Sequence, residues 1–344
     1  MFYEQPQIDF RDLVQKFMDI RKRAFKFPEL GEKAKYVGIP TPSGTGSEVT
    51  PFAVISDKEH NRKYPLADYS LTPSVAIVDP AFVMTVPAHV AADTGMDVLT
   101  HAVEAYVSTL ANDYTDGLAL QAIKIVFQHL EHSVKTADFE SREKMHNAST
   151  MAGMAFANAF LGISHSLAHK IGGIFHTVHG RTNAILLPYI IRYNGTRPAK
   201  TATWPKYNYY RADEKYQDIA RLLGLPAATP EEAVESFARA VYDLGERVGI
   251  KMNFHEQGID EAAWLAAAEE IAYHLAYEDQ CSPANPRLAV VSDMKEILED
   301  AYHGYHARPG RIKYSNPHKA LYGVAPLRRT TAYCLQRRAL YRTL

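Results

Sequence analysis

The chain has 344 residues, 47% of them hydrophobic, and 38 Lys and Arg against 39 Asp and Glu leave a formal charge of −1. That composition excludes a largely disordered chain and a coiled coil, and the length suits two domains or one large one. Two cysteines cannot form a disulfide framework, no apolar run reaches the ~20 residues that span a bilayer, and MFYEQPQIDF has no basic segment leading into an apolar one, so a soluble cytoplasmic protein is expected.

Residues 9–25 read as an amphipathic helix with Phe10, Leu13, Val14, Phe17 and Ile20 on one face. Tyr36 to Pro40 is a short extended run, followed by the turn-rich Ser43-Gly44-Thr45-Gly46-Ser47. Thr50 to Ser56 alternates, and Val75 to Asp79 is an apolar strand of the buried type. From about Pro87 the apolar spacing turns helical, over 88–108, 116–132, 140–160, 164–174, 180–194, 229–248, 261–276 and 291–303. One start is explicit, with Thr229 as N-cap, Pro230 at the first position and Glu232 three residues after the cap.

Charge divides the chain unevenly. Nine basic residues and no acid fall in 305–344, leaving 29 positive against 39 negative charges in 1–304. An acidic body argues against nucleic acid as a partner. The expected organisation is a partial α/β domain over 1–86, an all-helical metal-binding domain over 87–304, and a basic tail over 305–344 outside the fold. Beyond about Tyr314 the acid-free sequence fits a shifted reading frame or vector-derived residues.

Three segments share one chemical theme. Asp97 and His101 are four residues apart on a helix and so lie on one face, as do His165 and His169, while His176 and His179 fall just before a helix expected to start near Thr182. Each pair alone also fits a solvated face or a satisfied hydrogen bond; His129 and His132, among charged neighbours, are read that way. Together, in apolar surroundings, they suggest a site of one carboxylate and three histidines, since buried polar groups need compensation that a metal supplies. A helical hydrolase is disfavoured by the absence of a His-Asp dipeptide, and a zincin by Ile259 standing four residues after His255.

TGMDVLTHAVEAY (94–106), FANAFLGISHSLAHKIGG (156–173) and HTVHGRTNAILLP (176–188) closely resemble the iron-dependent (group III) alcohol dehydrogenases. FMDIRKRAFKFP (17–28), SGTGSEVTPFAVISD (43–57), KYPLADYSLTP (63–73) and DQCSPANPR (279–287) bring the likeness nearest to the C-terminal domain of bifunctional aldehyde–alcohol dehydrogenases. The resemblance covers roughly residues 1–304 and implies a dehydroquinate synthase-like fold, α/β then all-α, with a partial Rossmann-like N-terminal part. It implies metal ligation by Asp97, His101, His165 and His179, with His169 beside the nicotinamide as a proton relay and His176 as a local hydrogen-bonding residue. Fe2+ is the implied metal and Zn2+ the alternative the ligands accept.

NAD(H) is the implied cofactor, contacted by Thr41, Thr45 and Lys63, and the implied reaction interconverts ethanol and acetaldehyde or other short alcohols and aldehydes. A homo-oligomer is left open, and no nucleic-acid or membrane partner is implied. Two departures stand out. The family's GGGS phosphate loop occurs nowhere in the sequence, and Pro42 stands where a threonine is usual. The chain therefore reads as truncated at its N-terminus, and the alternative function is a metal-binding fragment impaired in catalysis.

Overall fold

The computed structural model describes residues 4–9, 13, 28–57, 62–198, 210–277, 279 and 281–305. Of the helix expected over 9–25, all but Asp9 and Leu13 lies outside the described residues, as do 306–344 of the expected tail. Four strands come first: β1 (Val37–Gly38), β2 (Phe52–Asp57), β3 (Arg62–Ala67) and β4 (Val75–Ala76). Nine helices among the described residues follow: α1 (Ala88–Val107), α2 (Asp113–Lys135), α3 (Phe139–Ala159), α4 (Ile163–Phe175), α5 (His179–Gly195), α6 (Ala212–Leu222), α7 (Pro230–Arg247), α8 (Glu261–Tyr277) and α9 (Val291–His303).

β1 and β4 pair in parallel, Val37 with Val75 and Gly38 with Ala76, while β2 and β3 form an antiparallel hairpin from Phe52–Ala67 to Asp57–Arg62. The expectation of a buried strand at 75–79 is corrected. Regular pairing there is two residues long, and Val75 and Ile77 stay 51% and 43% exposed. β-Branched side chains favour extended backbone, but burial needs a layer on each face. The short turn Ser47–Val49 packs on β1 and β4 but leaves Val37, Val75 and Ile77 exposed. A small cluster does form under the hairpin, where Leu66 and Leu13 are buried with Ile8, Ala53, Ile55 and Leu71 around them.

The helices hold the core. α1 is its axis, with 16 of its 20 residues buried, and it packs on α2, α3 and α5. Small residues set those distances. A Cβ on Gly95 would lie 2.2 Å from Leu130 of α2, and one on Gly180 would lie 2.2 Å from the Asp93 carbonyl. Thr229 caps α7 as expected, accepting the Glu232 N–H at 3.2 Å, while the Glu232 carboxylate takes the Ala228 N–H at 2.7 Å.

One helix start and one whole helix differ from the sequence reading. α5 begins at His179 rather than near Thr182, and α6 was not anticipated, its 11 residues carrying only a short apolar stripe of Tyr216, Ile219 and Ala220. Tyr305, the first residue of the stretch read as a tail, is buried, stacked on Tyr242 and covered by the Arg192 guanidinium 3.7 Å from its ring centre.

Candidate metal centre

Asp97 and His101 project from one face of α1, one turn apart, into the space between α4 and α5. His165, on the first turn of α4, meets them there. One ligand atom from each of Asp97, His101 and His165 lies within 4.8 Å of the others, and all three side chains are buried. His165 Nε2 is 3.6 Å from Asp97 Oδ1, and His179 Nε2 is 3.8 Å from the same oxygen. The His101 and His165 rings stack at 4.5 Å, and His169 stacks on His179 at 5.2 Å.

The structure thus gathers Asp97, His101, His165, His169 and His179 at one place. Asp97, His101 and His165 are buried, whereas His169 is exposed and His179, which opens α5 at the surface, is half-exposed, 41% by side chain. His176 stands apart as the left-handed C-cap of α4, φ 54°, its N–H bonded to the Gly172 carbonyl.

The donors fit a divalent cation. His165 Nε2 and His101 Nδ1 are buried and have no hydrogen-bond partner, an arrangement a folded chain rarely tolerates without a ligand. Three imidazoles and one carboxylate suit borderline metals such as Fe2+ and Zn2+. The electrostatics agree. Burial works against the Asp97 charge, but His101, His179 and His165 hold its carboxyl well below the usual carboxylate range. Burial takes His101 down to about 3 despite Asp97, keeping a lone pair available. Burial also opposes a charge on His165, yet Glu104 and Asp97 push it up to about 9, so the site favours positive charge at that ring.

Three neighbours escaped the sequence reading. Glu104 bonds His165 Nδ1 at 2.6 Å. Asn183 donates to Asp97 Oδ1 at 2.9 Å, and its own oxygen accepts from Ser164. Arg181 grips Asp93 through two bonds of 2.9 Å, tying the start of α5 to α1. Their signal was periodicity: Glu104 falls seven residues after Asp97, and Asn183 four after His179, on the faces that carry the ligands.

The turn-rich loop lies against the same helices. Gly44 sits so close to Thr94 of α1 that a Cβ would lie 2.7 Å away, and Gly46, φ 59°, would place one 2.6 Å from Gly153 Cα of α3. Ser43 bonds His146 at 3.0 Å, and Thr150 donates to Glu48 at 2.6 Å. Thr41 and Thr45 remain exposed on the loop's outer side. Lys63 lies in β3 opposite Ser56, and its side chain is outside the described residues.

Two family descriptions match the chain: "Fe-containing alcohol dehydrogenase family, C-terminal" over residues 91–302 and "Iron-containing alcohol dehydrogenase" over 7–80. The aldehyde-alcohol dehydrogenase of Streptococcus pneumoniae is 80% identical over 91% of this chain, and the chain spans only 35% of that relative's length. An iron-containing alcohol dehydrogenase from Thermococcus thioreducens superposes with a TM-score of 0.74 at 33% identity, over 88% of this chain and 73% of the other. A sulfoacetaldehyde reductase from Bifidobacterium kashiwanohense, solved in complex with NAD+, superposes with a TM-score of 0.67 at 28% identity, over 80% and 66% of the two chains.

Proposed function

The chain belongs to the iron-containing alcohol dehydrogenase family, and from that premise we propose that it interconverts short primary alcohols and aldehydes, ethanol and acetaldehyde among them, using Fe2+ and NAD(H). The observation that carries this reading is the convergence of Asp97, His101 and His165 around an unpartnered, buried His165 Nε2. In this reading Asp97, His101, His165 and His179 hold the cation, with Zn2+ as the alternative. The cytoplasm is the proposed setting, which two cysteines suit.

When bound, a divalent cation supplies Lewis-acid polarisation of a carbonyl oxygen. The chain's own residues supply the rest. A nicotinamide, when bound, would supply or take up the hydride, and His169 would deliver a proton to the substrate oxygen during reduction and take it back during oxidation. Its ring centre lies 6.1 Å from that of His165 and 5.2 Å from that of His179, beside the ligands. Phe156 stacks on His101 at 4.5 Å and Phe52 stacks on Phe156 at 6.1 Å, keeping water from that side. Thr41, Thr45 and Lys63 are the proposed nucleotide contacts, the two threonines offering exposed hydroxyls on a loop seated against α1 and α3.

The test is oxidation of NADH, and of NADPH in parallel, with acetaldehyde and the anaerobically Fe2+-loaded chain. Turnover that vanishes in Asp97→Ala is expected. Full Fe2+ occupancy without turnover or nucleotide binding would contradict the dehydrogenase reading and leave a metal-binding fragment.

A further inference from the structure

Resting on the reading of Asp97, His101 and His165 as metal ligands, we propose that Glu104 is a positioning residue: one of its oxygens fixes which ring nitrogen of His165 keeps its proton, while the other caps the helix that carries that histidine.

Glu104 is 2% exposed and lies on α1, one turn beyond His101. Its two oxygens have different tasks. Oε2 meets His165 Nδ1 at 2.6 Å, and Oε1 accepts the Ser164 N–H at 2.6 Å. A helix leaves its first N–H groups without intrahelical acceptors, and α4 begins after Gly162, which has no side chain to cap them. The acceptors arrive from elsewhere: Glu104 takes the Ser164 N–H, and Asn285 Oδ1 takes the Ile163 N–H at 3.4 Å. The absence of a side chain at Gly162 is itself required. A Cβ there would lie 2.8 Å from Asn285 Oδ1 and 2.9 Å from Glu104 Oε1.

A carboxylate only accepts hydrogen bonds. Facing Glu104, His165 Nδ1 therefore keeps its proton, and Nε2 is the nitrogen left to offer a lone pair. That atom is the buried, unpartnered one, 3.6 Å from Asp97 Oδ1. A second carboxylate behind a ligating imidazole also strengthens the ring as a donor. Glutamine in this place would have one acceptor for two donors. Either the Ser164 N–H loses its partner, or the carboxamide presents its NH2 to Nδ1 and drives the proton onto Nε2, where it blocks the lone pair.

Two substitutions in the full chain separate positioning from capping. Asn285→Ala removes the other acceptor at the start of α4 without touching His165, and Glu104→Gln alters both tasks. Each variant is titrated with Zn2+ against a chromophoric chelator, and the Zn2+-loaded protein is scanned by 1H–15N correlation for a strongly downfield His165 Nδ1–H.

Expected is a 10- to 100-fold loss of Zn2+ affinity in Glu104→Gln, with the downfield proton gone. Asn285→Ala keeps the proton and its affinity stays within about threefold, since no ligand loses its orienting partner. Parental affinity in Glu104→Gln, or equal losses in both variants, would overturn the proposal in favour of a cap alone. A parent chain that takes up no Zn2+ would overturn the ligand reading, and this proposal with it.

Discussion

The helical stretch 88–195 and the strand-and-turn stretch 36–86 both carry many apolar residues, yet they meet water differently. In α1, Met96, Val98, Leu99 and Ala102 are fully buried beside Asp97 and His101. Across the strands, Val37, Ile39, Val54, Val75 and Ile77 are 43–60% exposed. A helix satisfies its own backbone and needs neighbours only for its side chains, so α1 closes with α2, α3 and α5 into a core that can bury charged groups in pairs. A strand needs partners at its edges and layers on its faces. The metal centre is accordingly built wholly within the self-sufficient region, and the proposed nucleotide loop sits at its border.

Substitutions should divide along the same line. The largest contrast pairs Leu99→Ala, expected to lower stability by about 2–5 kcal/mol, with Val75→Ala, expected to change it by under about 0.5 kcal/mol, both read by urea denaturation. Similar effects at the two positions would break the comparison. Gly180→Ala comes next. Its Cβ would press on the Asp93 carbonyl and come within 3.2 Å of Asp97 Cβ, prising α5 from α1. A loss of about 1–3 kcal/mol, together with weakened Zn2+ binding, is expected.

Gly46→Ala tests the border itself. Its positive φ and its contact with Gly153 should shift the loop, weakening nucleotide binding by roughly tenfold, about 1.4 kcal/mol, with Zn2+ affinity unchanged. Fluorescence titration with NADH beside the chelator assay reads both. The smallest effect is Thr229→Ala, about 1 kcal/mol of stability through the lost N-cap, without change in either ligand.

Much of the helical region was legible because its signals are local. The i,i+4 spacing of Asp97 and His101 and the Thr229 cap need only neighbouring residues to be recognised, and both are met in the structure. The role of Glu104 was not legible, because its partners are 60 and 61 residues away and its own spacing fits a solvated face equally well. The exposure of Val75 escaped for the opposite reason. A β-branched run specifies extended backbone whether or not anything covers it. Phe160 is a third case. It turns the chain between α3 and α4 at φ 62°, ψ −174°, a conformation worth about 1–3 kcal/mol of strain that no pattern of side chains announces.

The most direct test of the metal centre is the Fe2+ content of the anaerobically loaded chain, measured for the parent and for Asp97→Ala after removal of loosely held iron. One Fe2+ per parent chain, and at least about 100-fold weaker binding in the variant, is the expected result. A parent that retains no Fe2+, or a variant that retains as much as the parent, would contradict a centre built on Asp97 and the histidines of α1, α4 and α5.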